Sequence, residues 1–367
     1  MIDIKLLNKN ELINFLASDV FEKSEFIPIT RHRALSQIKN PRLQAEDTLL
    51  LIAIENDEIL GYLGVLPDKI LINTSFVRFG WLSCLWVDPK HRGKQIAQKL
   101  LMKSAEIWDK KLILTEFTSS AKKLYDKSCL FDPLQNKIGI RLYVRWDLNN
   151  LLPPKIEFFN KIPHLLNFID KSLNTIFNLR FMLQKYDLNG IQFNYIETID
   201  EEAEKFIEKK QSSQIFKRAR VDLNWIVKNP WVLSAKTKSV ENKKYHFSST
   251  DKSFDFIVIK IKSNESKMIG LLIFSKRNET LKLPYCYFET SEIKKIIKVI
   301  YHHISIWKIK TFTTYHSEIV GYLEKHKTQA FYKKNVGRQY LISKGFDYVF
   351  NPENIDIQDG DGDCSFT

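Results

Sequence analysis

The stretch Leu85-Trp86-Val87-Asp88-Pro89-Lys90-His91-Arg92-Gly93-Lys94-Gln95-Ile96-Ala97 concentrates residue types suited to binding phosphate. An apolar run feeds a basic, glycine-containing turn, and helical spacing begins directly after it. The first N–H groups of a helix lack internal partners, and the helix dipole puts partial positive charge at that end. Such a start can hold a pyrophosphate, and Lys90, Arg92 and Lys94 add mobile positive charge. Gly93 lets backbone approach an anion closely, while Ala97 keeps the next turn small. Read alone, the same pattern also describes an ordinary strand, turn and helix with a glycine at the bend.

The surrounding elements must position this turn. Apolar runs at 48–56 and 59–66, joined by Asp57-Glu58, predict an antiparallel hairpin. A long strand over 77–88 ends at Pro89. Beyond the turn, Ile96, Ala97, Leu100, Leu101, Ala105 and Trp108 recur at three- and four-residue steps and predict a helix. A buried strand follows at 111–117, then a short helix capped by Ser119 or Ser120 and carrying Tyr125, then a strand near 138–146.

From about residue 190 a similar order returns. A strand (191–197) leads to helices at 199–210 and 221–228, strands at 254–262, 267–276 and 281–288, a helix (291–307), a strand (310–316) and a helix (317–326). Placing Trp108 on Trp307 aligns helix, strand and helix, with Leu124 on Leu323. This pattern predicts two copies of one α/β unit. The second copy has Glu289-Thr290-Ser291-Glu292 where the basic turn should be, and Glu324 in place of Tyr125. Those carboxylates are expected to satisfy their own helix start and repel pyrophosphate.

The basic turn resembles the acyl-CoA signature of the GNAT superfamily of N-acyltransferases: Arg or Gln, two residues, Gly, one residue, then Gly or Ala. Arg92 and Ala97 fill the outer positions, and Gln95 stands at the central glycine. A glutamine there with helical dihedrals still offers its N–H when the side chain turns outward. The resemblance spans residues 1–147, starting with an N-terminal helical region. It implies an α/β fold of mixed sheets, two tandem GNAT-like domains, and acetyl-CoA or another acyl-CoA as cosubstrate without a metal. By that resemblance Leu85, Trp86 and Val87 meet the pantetheine arm through backbone. Arg92, Gly93, Lys94, Gln95, Ile96 and Ala97 hold the pyrophosphate.

The stretch AKKLYDKSCL resembles the family's helix motif of Tyr, three variable residues, Gly and Phe, with Cys129 and Leu130 in the last two places. It implies that Tyr125 protonates the departing thiolate; the plainer reading is an aromatic on a buried helix face. Glu116 is a candidate base, with a water chain as the other. His32 and His91 are weaker candidates.

The resulting expectation is transfer of an acyl group, acetyl first, to a primary amine. By analogy with similar chains of surface polysaccharide synthesis, a nucleotide- or lipid-linked amino sugar leads as acceptor. Alternatives are an aminoacyl-tRNA-dependent peptidyltransferase, or a non-catalytic module binding CoA or nucleic acid.

Composition sets wider bounds. The 367 residues suit two domains, and 44% apolar with 27% charged residues is the balance of a globular protein. The formal charge of +13 favours anionic partners. The lysines are dispersed, which reads as a solvated basic surface rather than a nucleic-acid interface. Cys84, Cys129, Cys286 and Cys364 lie too far apart for paired-ligand or disulfide spacing. With no secretory pattern and no long apolar run, a cytoplasmic setting is expected.

The expected divisions are an acyltransferase domain at 1–148, a helical connector at 149–187, a degenerate copy at 188–348 and an acidic tail at 349–367. The apolar, basic stretch 155–186 allows peripheral membrane contact, with packing between domains as the blander account. Asp359-Gly360-Asp361-Gly362-Asp363 imitates the opening of a calcium loop; a solvated tail, or one folded over a basic cleft, suits it better. Asn224-Trp225 and Asn229-Pro230-Trp231 predict an aromatic turn at the lip of the second copy.

Overall fold

The computed structural model describes residues 2–183, 188–237, 239–353 and 355–366. The chain forms two compact units that do not follow chain order. One comprises Met1–Lys137, Thr198–Phe254 and Arg338–Thr367; the other comprises Ile138–Glu197 and Asp255–Gly337.

The first unit opens with strand β1 (Asp3–Leu7), where the sequence predicts a helical region, and continues into helices α1 (Lys9–Leu16), α2 (Asp19–Lys23) and α3 (Arg31–Ile38). Asn8 and Glu11 form a reciprocal cap on α1. Strands β2 (Leu50–Glu55) and β3 (Glu58–Ile72) make the expected hairpin. Asn56 and Asp57 take φ values of 51° and 61°, the left-handed pair that matches strand twist in a two-residue turn. Both strands are apolar on both faces because both faces are covered.

Strand β4 (Ser75–Val87), helix α4 (Ile96–Ile107), strand β5 (Leu112–Thr115) and helix α5 (Ser119–Ser128) follow. Thr118 rather than Ser119 or Ser120 caps α5, its hydroxyl accepting from Ala121 N at 3.2 Å. Strands β1 to β4 are antiparallel neighbours in chain order, and β5 joins β4 in parallel. Leu100, Leu101 and Ala105 of α4 pack with Leu63, Val65 and Leu112 beneath the helix.

The strand Phe131–Tyr143, β6, leaves this unit at Lys137, and the sheet is continued by a later segment, with Ile113–Thr115 antiparallel to Tyr340–Ile342. The second unit has the reciprocal arrangement, in which Ile140–Tyr143 of β6 pairs antiparallel with the strand Thr311–Thr314. Next come the strands Thr280–Phe288, Met268–Arg277, Phe254–Ser263 and Ile191–Ile196. Its core lies between this sheet and the helix Ile293–Ile306, around Ile296, Ile300, Phe274 and Phe312.

Trp108 and Trp307 are the C-caps of equivalent helices, and the strands after them begin at Leu112 and Thr311. The pairing of these two tryptophans, read from sequence, thus has a structural counterpart. The aromatic turn at 224–231 lies in the first unit instead of the second: the Trp225 indole donates to Ser36 O at 2.8 Å and that of Trp231 to Ser36 Oγ at 3.1 Å.

Residues 355–366 are likewise part of the first unit, and Asp359 and Asp361 are buried rather than solvated. Arg218 donates to Asp361 at 2.9 Å and to Asp68 at 2.9 Å, while Arg42 grips Asp222 through two bonds. These buried carboxylates stand opposite guanidinium groups, so the acidic stretch is anchored by charge pairing. Phe366 stacks on Trp231 with ring centroids 4.4 Å apart.

Candidate active site

Register along β4 creates the opening. Gly64 of β3 faces Ser83, but Tyr62 faces Trp86, so three steps on β4 match two on β3. The extra residue is absorbed at Cys84, whose φ is 55°. This is a β-bulge, and it re-aims the strand that follows. On its other side β4 joins β5 through Gly80↔Leu112 and Trp81↔Ile113. Leu85, Trp86 and Val87 lie beyond that short ladder, and a cavity of about 560 Å³ begins there.

The cavity runs from this strand end to the start of α4 and α5. Of the donor-binding residues expected from sequence, all but Lys94 line it. Lys94 is exposed beside the turn, with Nζ 3.2 Å from His91 Nδ1. Asp88 caps the turn by accepting from Lys90 N at 2.9 Å. Glu58, Asp88 and His91 bring possible ligand atoms within 4.8 Å of one another, but Asp88 already holds the turn together.

Two backbone positions shape the anion end. Gly93 has φ of 88°, and a Cβ there would meet open space. Gln95 takes φ 58° and ψ 23°, so the helical dihedrals expected for it are corrected to left-handed ones. The position explains the family's central glycine, since a left-handed residue with a side chain costs roughly 1 kcal/mol. Gln95 makes no side-chain cap on α4, in contrast to Asn8 on α1 and Thr118 on α5. The helix start is therefore left to a ligand or to water.

At the other end, Cys84 precedes Leu85 and sits among groups from distant segments. Arg33 Nη1 donates to Cys84 Sγ at 2.7 Å and to Tyr245 Oη at 2.6 Å, and Arg33 Nη2 donates to Ser83 Oγ at 2.9 Å. The Ser83 hydroxyl donates to Asp363 Oδ2 at 2.6 Å. Burial pushes the Asp363 carboxyl above the ordinary carboxylate range, against the pull of the Ser83 hydroxyl and the Arg33 guanidinium. Trp86, His246 and Phe247 form an aromatic rim, with the Trp86 and His246 rings 5.2 Å apart.

Tyr125 is buried, its ring edge-on to Phe117 and Phe131, while Ala121 and Leu124 of the same helix face the cavity. Burial raises the phenol above its usual range, and nearby Asp363 and Cys84 add to the shift. Glu116 is exposed and forms an ion pair with the buried Arg338 guanidinium. His32 is not part of this group; its Nε2 lies 2.7 Å from Trp231 O.

Sequence reasoning missed Arg33, Ser83, Tyr245, His246, Phe247 and Asp363. The run Tyr245-His246-Phe247 and the acidic 359–363 stretch were both visible, but no local spacing ties either to residues 83–87.

The bulged strand, the glycine turn and the uncapped helix share one stretch of chain with a family match. Residues 15–129 match the acetyltransferase (GNAT) family. The chain carries a GNAT domain. No curated protein matches it. The chain is similar in fold to a GCN5-related N-acetyltransferase from Anabaena variabilis. That match has TM-score 0.52 and 10% identity, covering 93% of this chain and 72% of that one. It is also similar to N-myristoyltransferase of Saccharomyces cerevisiae with bound myristoyl-CoA, at TM-score 0.52 and 11% identity over 97% and 87% of the two chains. A probable N-acyltransferase from Enterococcus faecalis gives TM-score 0.51 at 10% identity, over 94% and 72%. These likenesses make the fold one of tandem GNAT-like units, as the sequence repeat implied.

In the second GNAT-like unit the equivalent turn is acidic. Glu292 is the N-cap residue of Ile293–Ile306 but makes no side-chain cap bond; its carboxylate pairs with Lys295 at 2.8 Å. The expectation that this carboxylate satisfies the helix start is corrected, because the lysine one turn on competes for it. The negative charge remains where pyrophosphate would need positive charge.

Proposed function

We propose that the first unit transfers an acyl group, acetyl in the simplest case, from acyl-CoA to the amine of an amino sugar carried on a nucleotide or lipid. The observation that carries this reading is one cavity joining β4 backbone beyond the β5 ladder to the uncapped start of α4. The donor's pantetheine would lie along Leu85–Val87, and its pyrophosphate at Gly93–Ala97 with Arg92. The aromatic rim of Trp86, His246 and Phe247 supports a sugar acceptor, whose C–H faces stack on such rings.

The amine nitrogen attacks the thioester carbonyl, forming the C–N bond as the C–S bond breaks. Asp363 takes the ammonium proton; its raised affinity for protons suits a base working against an amine. By the family resemblance Tyr125 protonates the departing thiolate; burial keeps the phenol protonated but makes it the weaker acid, so the transfer requires the hydroxyl aimed directly at the sulfur.

The test is release of the CoA thiol from acetyl-CoA with three acceptor classes: nucleotide-linked amino sugars, free amino sugars, and peptides with a free N-terminus. Turnover is expected to be greatest with the linked sugars. Preference for peptides would overturn the acceptor class, and absence of turnover with every amine would overturn the enzymatic reading.

A further inference from the structure

The helix Pro163–Leu183 in the second unit buries Leu166, but it also turns several polar side chains toward the unit and leaves large apolar ones exposed. Its polar side chains hold it to the unit. Asp170 accepts from Leu148 N at 2.9 Å and Asn149 N at 3.0 Å. Asn174 exchanges two bonds with the Trp146 backbone, at 2.7 and 2.8 Å, and Asn178 accepts from Arg145 Nε at 2.8 Å.

The outward side carries an apolar stripe, with exposed Ser172 within it and Thr175 and Lys171 at its edge. Leu165, Phe168, Ile176 and Leu179 are 52%, 68%, 67% and 57% exposed. At ~100° per residue these four share one face within roughly 80° of arc. Ile156 and Phe158, just before the helix, are also exposed. Side chains of this size on one helix face, with the helix held by the Asp170, Asn174 and Asn178 bonds, call for a covering medium.

Charge points to which medium. The second unit contains 22 Lys and Arg against 12 Asp and Glu, net +10 of the chain's +13. Lys155, Lys161 and Lys171 flank the stripe in exposed positions, with Glu157 the one exposed acid among them. No described helix is long and apolar enough to cross a membrane.

We propose that this face lies on an anionic lipid bilayer, with the apolar stripe in the acyl boundary and the lysines at the headgroups. Nucleic acid would suit the charge but not a row of Leu, Ile and Phe. A second copy of the chain would bring +10 against +10. Residues 184–186, the end of the 155–186 stretch singled out from sequence, lie outside the described residues. The inference stands independently of the acyl-transfer reading, because it uses none of the cavity residues.

The experiment is co-sedimentation of the full chain with vesicles of phosphatidylcholine alone, or mixed with phosphatidylglycerol. Binding to the mixed vesicles is expected, falling as salt is raised. The double variant Phe168→Asp, Ile176→Asp should lose it tenfold or more. Val240→Asp, an exposed apolar residue in the first unit, should not change it. Both variants should keep the wild-type thermal midpoint and acetyl-CoA affinity, since the changed side chains are exposed. Wild-type protein that stays in the supernatant would overturn the proposal. So would a double variant that binds like wild type, or a stripe-dependent dimer in light scattering without vesicles. A double variant that unfolds is replaced by Leu165→Ser with Leu179→Ser, for which the same outcomes apply.

Discussion

Ser83 and Asp363, 280 residues apart in sequence, share a hydrogen bond of 2.6 Å at the bulge of β4. The bond ties a carboxylate with raised proton affinity to Ser83, two residues before Leu85, where the cavity lining begins.

Asp363→Asn keeps the size and the acceptor oxygen but removes the base. Turnover should fall by about 10²-fold or more while acetyl-CoA affinity is unchanged. The acidic limb of the pH profile of kcat/KM, set by the raised carboxyl, should disappear with it. An unaltered profile would assign the proton to another group.

Tyr125→Phe removes one hydroxyl and leaves the ring between Phe117 and Phe131. Thermal stability should hold, and kcat should drop about 10²-fold. The loss should shrink with acyl donors whose leaving thiol is more acidic, because they need no proton. Equal loss with every donor would reduce Tyr125 to packing.

Gln95→Gly should raise stability by about 0.5–1 kcal/mol, since glycine adopts φ of 58° without the penalty of a side chain. Acetyl-CoA affinity should hold or tighten. Chemical denaturation of the two proteins checks this, and a less stable variant would mean that the glutamine side chain contributes contacts.

Much of this was legible in the sequence, for a physical reason. Residues 85–97 are contiguous, so strand, turn and helix spacing could be read directly, and all but one of the residues expected to meet the donor line the cavity. The left-handed state of Gln95 was not legible, because glutamine ordinarily avoids it and only backbone geometry reveals it. The roles of Arg33 and Asp363 depend on tertiary folding that brings residues 33, 83, 245 and 363 together. Likewise, the composition of each unit could not follow from the order of elements. Arg338–Thr367 closes the first unit through pairing between β5 and Tyr340–Ile342, a long-range match without local signature.

His303, in the second unit, gives a pH test independent of activity. It is buried, with Nδ1 2.7 Å from Val299 O and Nε2 2.9 Å from Tyr195 Oη, as suits a neutral ring that donates to the carbonyl and accepts from the phenol. Burial lowers its pKa from 6.5 to about 4, outweighing the Val299 bond, with His302 adding to the shift. The unfolded chain then takes up the proton first. Its stabilising contribution is full above pH 6.5 and is lost as the pH falls toward 4, up to about 3 kcal/mol. His303→Gln should flatten that slope in urea titrations at stepped pH.

The most direct measurement is calorimetric titration of the wild-type chain and of Ala97→Glu with acetyl-CoA. Ala97 lies in the first turn of α4 and lines the cavity, so a carboxylate there would face the pyrophosphate. The wild type should bind one equivalent, and Ala97→Glu should lose at least 10²-fold in affinity with its thermal midpoint preserved. A folded Ala97→Glu protein that binds acetyl-CoA as tightly as wild type would contradict the assignment of this cavity as the donor site.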